Sequence, residues 1–285
     1  MSATGPPIRD ISDTARWAAL YRARESERPQ GLFRDLLARR LAGERGERID
    51  AALPFSKRHT WSWVTRTVLF DDFISQEVAR GADLVVNLAA GLDARPYRMA
   101  LSAALRWVEV DLPDLVAYKE EVLRDEKPAC DLRRVPLDLA DADARRALFA
   151  ELGGGAERAL VVSEGLIIYL TAEEVGALAR DLAAPPGFRR WVTDLVSPGL
   201  LKLLQKKLGP QLDRASAPLK FAPEEGQEFF ARHRWRPVEV RSMLHAAARL
   251  GRLPLWMPFF ALFPPQKTPG YRPWSGVCLL EKEGT

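Results

Sequence analysis

Between residues 12 and 81 the chain repeats with the period of a helix. "TARWAALYRARESE" sets Ala15, Ala18, Ala19 and Arg22 at helical spacing behind Ser12 and Asp13, which read as an N-cap. "LFRDLLARRLAG" repeats the period, with Leu32, Leu36, Leu37 and Leu41 on one face and Gly43 placed to end it. "ERGERIDAALP" then reads as a loop. "WSWVTRTVLFDDFISQEVARG" carries Val64, Val68, Leu69 and Phe73 on a third helix that Gly81 closes. Three helices therefore precede the first strand.

From Asp83 the pattern changes. "LVVNL" is a short apolar run of the kind buried on both faces of a parallel sheet. "RWVEVDLP", "RRVPLDL", "ALVVSEG" and "RWVTDLV" follow it, separated by segments of helical composition. This alternation predicts an α/β fold with a doubly wound, mostly parallel sheet. Three of the runs end in an acid, Asp111, Asp138 and Glu164, where open α/β sheets place their ligands. After Ser197 the alternation lapses. "GLLKLLQKKLGPQLDRASAPLKF", "PEEGQEFFARHRW" and "RSMLHAAARLG" read as inserted helices, "LPLWMPFFALFPPQKTPGYRP" as an irregular loop, and "WSGVCLLEK" as a late strand.

Composition narrows the function classes. The chain of 285 residues carries a net charge of only +4, with most Arg beside acids on helices, so nucleic acid is not an expected partner. The two cysteines, Cys130 and Cys278, lie far apart without Cys or His at metal spacing, which argues against both a disulfide framework and a metal site. The N-terminus has no basic start followed by an apolar core, and no apolar run reaches the length of a membrane span. A cytoplasmic location without membrane attachment is the expectation.

The turn "VVNLAAGLDARPYRM" decides between cofactors. A dinucleotide site reads G-x-G-x-x-G and seats a pyrophosphate on a helix N-terminus. The equivalent frame here is Ala89, Gly91 and Ala94. A cofactor without phosphate, such as S-adenosyl-L-methionine, asks more of acids than of a phosphate nest. Asp111 lies 20 residues beyond Gly91, the spacing at which a carboxylate accepts from ribose hydroxyls. Asp138 could take the adenine amine and the Leu139 N–H a ring nitrogen, while Glu164 could hold an ammonium. Each acid could instead cap the helix that follows it.

At this point the residues resemble a known family. "SDTARWAALYRARESE", "TRTVLFDD", "VVNLAAGLDARPYRM", "VEVDLPDLVAYK", "VPLDLAD" and "SEGLIIYLTAEEV" resemble the leucine carboxyl methyltransferase family, in its bacterial branch of S-adenosylmethionine-dependent O-methyltransferases. The resemblance runs from about Ser12 to Val175 and is loose in the C-terminal third. It implies a Rossmann-like, class I methyltransferase fold with N-terminal helices and a helical lid. With no internal repeat, low-complexity tract or clear linker, the chain reads as one domain, with cap helices over 1–81, a cofactor core over 82–197, a lid over 198–273 and a last strand over 274–285. By the same resemblance Arg66 pairs with the cofactor carboxylate, ahead of Asp71 and Asp72. Asn87, Ala89 and Gly91 lie against the methionine moiety, Asp111 holds the ribose, and Asp138 and Leu139 contact adenine. Glu164 faces the ammonium and Tyr169 approaches the methyl-transfer site. The family usually reads N-L-G-A-G, so Ala89 stands where a glycine is usual.

Other readings of the same residues stay open. Arg66 could pair with Asp71 or Asp72, and Tyr169 could be a core aromatic. Trp61, Trp63, Phe229, Phe230, Trp256, Phe259 and Phe260 could line an apolar substrate pocket or simply pack. His59, His233 and His245 fall in no base motif and read as structural. A carboxylate acceptor is slightly preferred because it is ionised at neutral pH and needs no base, whereas a phenol needs one. The expected function is O-methylation of a small molecule, possible in secondary metabolism. The alternatives are methylation of a protein C-terminus, a nicotinamide-dependent oxidoreductase, and a cofactor-binding protein without activity.

Overall fold

The computed structural model describes residues 8–53, 59–255, 257–262 and 272–284, and within these the side chains of Pro258 and Phe260 are left aside. Trp256 lies outside the described residues. Three helices come first: α1 (Ser12–Ser26), α2 (Ala38–Ala52) and α3 (Thr60–Ala79). There follow β1 (Leu84–Leu88), a single turn of helix α4 (Arg95–Arg98), β2 (Arg106–Asp111), α5 (Pro113–Val122), β3 (Asp131–Pro136) and α6 (Ala142–Gly154). Then come β4 (Ala159–Ser163), α7 (Ala172–Ala183), β5 (Phe188–Val196), α8 (Pro198–Arg214), β6 (Trp235–Ser242), α9 (Met243–Arg249) and β7 (Ser275–Lys282).

The strands form one sheet in the order β3-β2-β1-β4-β5-β7-β6. The five from β3 to β5 are parallel, and β7 runs antiparallel to both its neighbours. The chain winds outward from β1 to β3, then crosses back to β4 on the other side of β1. That reversal opens a crevice at the carboxyl ends of β1 and β4, where ligands of doubly wound sheets bind.

Burial follows from alternation along each strand. Leu84, Val86 and Leu88 point to one face and pack with Val161, Leu148 and Leu178, while Val85 points to the other with Trp107, Leu160 and Phe73. Both central strands, β1 and β4, are buried at every position, as a two-face apolar run requires.

Several local expectations change. The residue capping α1 is Ile11, without a side-chain cap bond, because Asp13 is drawn into a buried pair with Arg45 of α2. The second helix begins at Ala38, not Leu32, and runs through the segment read as a loop, with a break at Gly43 (φ 57°). Leu36 is exposed. Asp35 sets the start by accepting the Ala38 N–H at 3.0 Å while paired to Arg22 at 2.9 Å. "GQEFFARH" is a 3-10 turn, not an α-helix. Strand β6 was not expected, since Pro237 interrupts its alternation. It is tolerated there because β6 is an edge strand and shifts register at that residue.

The aromatics divide. Phe229 and Phe230 belong to the core, where Phe230 meets Trp191 edge to face at 5.0 Å, and they do not line a pocket as the pattern allowed. Phe230→Ala is expected to lower the unfolding free energy by about 3–5 kcal/mol. Phe259→Ala, at a side chain 61% exposed, is expected to change it by less than about 0.5 kcal/mol. Urea unfolding with an unchanged slope checks both.

Candidate active site

The first turn of the sheet is built from small residues because its backbone is left-handed twice, at Ala89 (φ 49°) and Gly91 (φ 53°). A Cβ on Gly91 would stand 3.3 Å from the Cβ of Ala15, so α1 closes directly on the turn. The turn consumes its own donors. The N–H of Ala90 goes to the Val110 carbonyl, that of Asp93 to Ala90, and that of Arg95 to the Asp93 carboxylate. The Gly91 N–H donates to Asp111 at 2.6 Å. Those four donors are taken within the protein, and the helix behind them is one turn long.

Asp111 ends β2 and accepts from Gly91 and, at 2.7 Å, from the Leu112 N–H. Burial pushes its carboxyl above the ordinary value, against the pull of these two donors and of Lys119. Asp138 lies two residues beyond the end of β3 and is exposed, accepting the Ala140 N–H at 2.9 Å. Glu164 follows β4 directly. The strand order sets Asp138, Asp111, the Ala89–Gly91 turn and Glu164 in a row across four neighbouring strands.

Behind that row lies a connected set of charges. The Arg95 guanidinium donates to Asp71 at 2.6 Å and to Asp93 at 2.8 Å, and meets Glu164 at 2.8 Å, with its side chain 3% exposed. Arg98 holds the same Asp71 through both terminal nitrogens at 2.7 Å. Arg66 donates to Glu164 at 3.0 Å and to Asp194, inside β5, at 3.3 Å. Its guanidinium also sits over the Trp63 ring, 4.9 Å from the centroid. Asn87 is turned inward to donate to Asp93 at 2.9 Å. Three guanidiniums thus face four carboxylates, and the set carries one excess negative charge.

The carboxylates differ. Burial opposes the charge of Asp93, but Arg95, Lys119, Arg22 and Arg98 together hold its carboxyl well below the usual range. Asp194 goes the other way: burial pushes its carboxyl up, against Arg66 and the Gly165 N–H that it accepts at 2.7 Å. Burial likewise pushes the Tyr169 phenol up, against a hydrogen bond with Thr14.

These groups open on a cavity of about 1490 Å³. All nine residues singled out in the sequence line it: Arg66, Asn87, Ala89, Gly91, Asp111, Asp138, Leu139, Glu164 and Tyr169. The pairing of Arg66 with Asp71 or Asp72 is not what forms, since Asp71 is taken by Arg95 and Arg98 and Asp72 turns out toward Arg241. Arg95, Asp93 and Asp194 line the cavity too and were missed. Their signal was present, as charges inside otherwise apolar or small-residue stretches, "LDAR" and "WVTDLV". His59 and His245 also line it, whereas His233 packs on Phe229. Trp61, Trp63 and Phe259 are on its wall.

Residues 15–183, more than half of the chain and all nine of those positions, match the family model described as leucine carboxyl methyltransferase. The chain belongs to the leucine carboxyl methyltransferase family. A relative from Parafrankia sp. (strain EAN1pec), named as an S-adenosyl-L-methionine-dependent methyltransferase, is 32% identical over 271 residues, covering 89% of this chain and 86% of its own. A relative of the same name from Streptomyces coelicolor is 33% identical over 251 residues, covering 84% of this chain and 87% of its own. Among solved structures, a DUF574 family protein from Streptomyces avermitilis superposes with a TM-score of 0.61 at 12% identity, over 94% of this chain and 97% of its own. A protein described as a methyltransferase from Thermobifida fusca gives 0.57 at 17% identity, over 98% and 96%. These two show a shared Rossmann-like α/β fold. Asp194 lies beyond the span that the family model matches.

A carboxyl whose folded pKa is raised has its stabilising protonated form at low pH and loses it as pH rises through the folded value. At neutral pH the charge of Asp194 therefore opposes folding. Asp194→Asn keeps an acceptor for the Gly165 N–H and removes that charge. The variant is expected to be at least as stable as the wild type near pH 7, with the difference shrinking as pH falls toward about 4. Urea midpoints at the two pH values check this, and a variant less stable at neutral pH would contradict it.

Proposed function

We propose that this chain, a methyltransferase of its family that uses S-adenosyl-L-methionine, transfers the methyl group to an oxygen of a small-molecule acceptor. The observation that carries the proposal is the row of acids beside a turn whose Ala90, Gly91, Asp93 and Arg95 N–H groups are already bonded within the protein. Asp138 with Leu139, then Asp111, then the turn with Glu164, stand in the order adenine, ribose, amino acid. Asp111 keeps acceptor capacity beyond its two backbone donors, since a carboxylate offers about four lone-pair sites. The excess negative charge around Arg66, Arg95 and Arg98 suits a cofactor whose sulfonium and ammonium outweigh its one carboxylate. In this reading Glu164 takes the ammonium, Arg66 the carboxylate, and Asn87, Ala89 and Gly91 form the wall beside them.

The cofactor, when bound, supplies a sulfonium methyl group open to in-line displacement. The chain's share is to align the acceptor and to keep water out. Helix α1 supports this, since Thr14 meets Tyr169 and Ala15 meets the turn, so the reacting end lies under a helix. Because α1, α8 and the strand ends line one cavity, we also read the chain as one methyltransferase domain. We place it in the cytoplasm. Among the described residues no helix is long and apolar enough to cross a membrane, and no group of three or more His, Cys, Asp or Glu could hold a metal ion.

The acceptor oxygen has two readings. A carboxylate needs no base but does need a cation. Arg22, Arg66, Arg95 and Arg145 on the wall are paired with Asp35, Glu164, Asp93 and Asp181, so among the described residues Arg272 is the wall guanidinium outside such pairs. A hydroxyl needs a base, and the cavity offers one: His245, whose Nδ1 lies 2.9 Å from the Ser242 Oγ. A peptide C-terminus, suggested by the family's description, would be a carboxylate acceptor of the first kind.

Calorimetry is expected to show binding of S-adenosylhomocysteine and none of NAD, and the reverse would favour the oxidoreductase. Asp111→Asn is expected to weaken S-adenosylhomocysteine by roughly 10- to 100-fold, the range for a hydrogen bond to a charged group. Mild alkali on the methylated product separates the two acceptors: an ester is expected to lose the methyl group and an ether to keep it.

A further inference from the structure

The cavity has a second wall, opposite in character to the strand ends, and nothing in the cofactor reading uses it. It is built by α8. Ser197 starts the helix, its Oγ accepting the Leu200 N–H at 3.2 Å and the Trp274 N–H at 2.9 Å, and donating to the Arg272 carbonyl at 2.7 Å. The first turn of α8 is therefore tied to the approach to β7, while Lys202 and Lys206 are exposed away from the leucine stripe. Toward the cavity it presents Leu200, Leu204, Leu208 and Leu212, each four residues after the last, with Leu203 beside them. At 1.5 Å per residue this stripe is about 18 Å long.

Such a wall recognises only by burial of apolar surface, since a leucine stripe has no donor or acceptor along its length. Three of the aromatics beside α8 are occupied with one another, while Trp61, Phe259 and Trp274 line other parts of the wall. Trp17, Tyr21 and Trp63 pack on one another with centroids 5.5, 5.6 and 6.2 Å apart, and Arg66 covers Trp63. A flat polycyclic acceptor would want those faces, whereas a flexible chain needs only the aliphatic wall. The cavity, at about 1490 Å³, also exceeds the roughly 300–1,000 Å³ of a site for one drug-sized ligand, so a cofactor does not account for all of it.

We propose that α8 forms the channel for a long unbranched aliphatic chain, and that the methyl acceptor is an amphiphile carrying its nucleophilic oxygen at one end of that chain. The assignment of the oxygen as methyl acceptor rests on the methyltransferase reading; the channel itself does not. The wall explains why α8 leaves Leu203 37% exposed with its side chain on the cavity rather than against the core.

Binding without turnover tests this on the full chain. Titrating hexanoate, decanoate and tetradecanoate below their micelle concentrations, by calorimetry, is expected to show affinity rising up to about fourfold per added methylene. 2-Naphthoate is expected to bind more weakly than decanoate. Leu203→Gln, at a position already partly exposed, is expected to weaken decanoate at least fivefold while S-adenosylhomocysteine binds as to the wild type. Leu208→Gln is the second variant, expected to act in the same direction. Affinity independent of chain length, or naphthoate tighter than decanoate, would overturn the proposal. Chain-length-dependent binding without S-adenosylhomocysteine binding would instead keep the channel and remove the methyltransferase reading.

Discussion

The Arg95 guanidinium is the interaction on which the rest of the site depends. It reaches Asp71 on α3, Asp93 in the turn after β1 and Glu164 at the end of β4, and so joins three separate parts of the chain at one buried point. Removing Arg95 would cost about 3–5 kcal/mol, because three buried or half-buried carboxylates would lose their shared cation. That cation fixes Glu164 and the turn at a defined separation. It also leaves Arg66 to hold the far side of Glu164, so the two residues expected at opposite ends of an amino-acid ligand touch each other. A zwitterionic ligand would meet that pair as its own complement, ammonium toward the carboxylate and carboxylate toward the guanidinium.

A second layer of constraint comes from α1. Arg22 donates to the Leu92 carbonyl, Ala15 stands against Gly91, and Thr14 reaches Tyr169, so one helix touches the turn at both sides and the loop after β4. The close approach is helped by Gly91, where a Cβ would sit at a left-handed φ and only 3.3 Å from the Cβ of Ala15. Ala89 takes a similar φ without clash but with the usual penalty of a left-handed alanine. Below the turn, Lys119 is buried against Glu109 at 2.8 Å, and its charge acts on both Asp93 and Asp111. Asp93 and Asp111 are therefore both acted on by a buried cation that does not itself line the cavity.

The two halves of the cavity differ in kind. On the sheet side, polar groups are fixed by short bonds to backbone and to arginine, which suits a ligand of defined shape. On the α8 side, leucines offer area without direction. The family model covers the chain from α1 through β4 to α7 and stops before β5 and α8.

Sequence by itself determined what depends on local period and on short spacing. The strands β1 to β5, the helices α1, α3 and α8, the acids Asp111, Asp138 and Glu164 beside their strand ends and the weakness of the dinucleotide fingerprint are all legible in stretches of ten to twenty residues. Tertiary structure decided which charge meets which. Arg66 finds Glu164 98 residues away and Asp194 128 residues away, rather than the acids five and six positions on. It also decided that Phe229 and Phe230 face the core, that β6 is a strand despite Pro237, and that the helix α2 waits for Asp35 to start it. The physical reason is the same in each case. Periodicity records which face of an element is apolar, but an ion pair, an edge strand or a capping carboxylate is chosen by what the rest of the chain brings alongside.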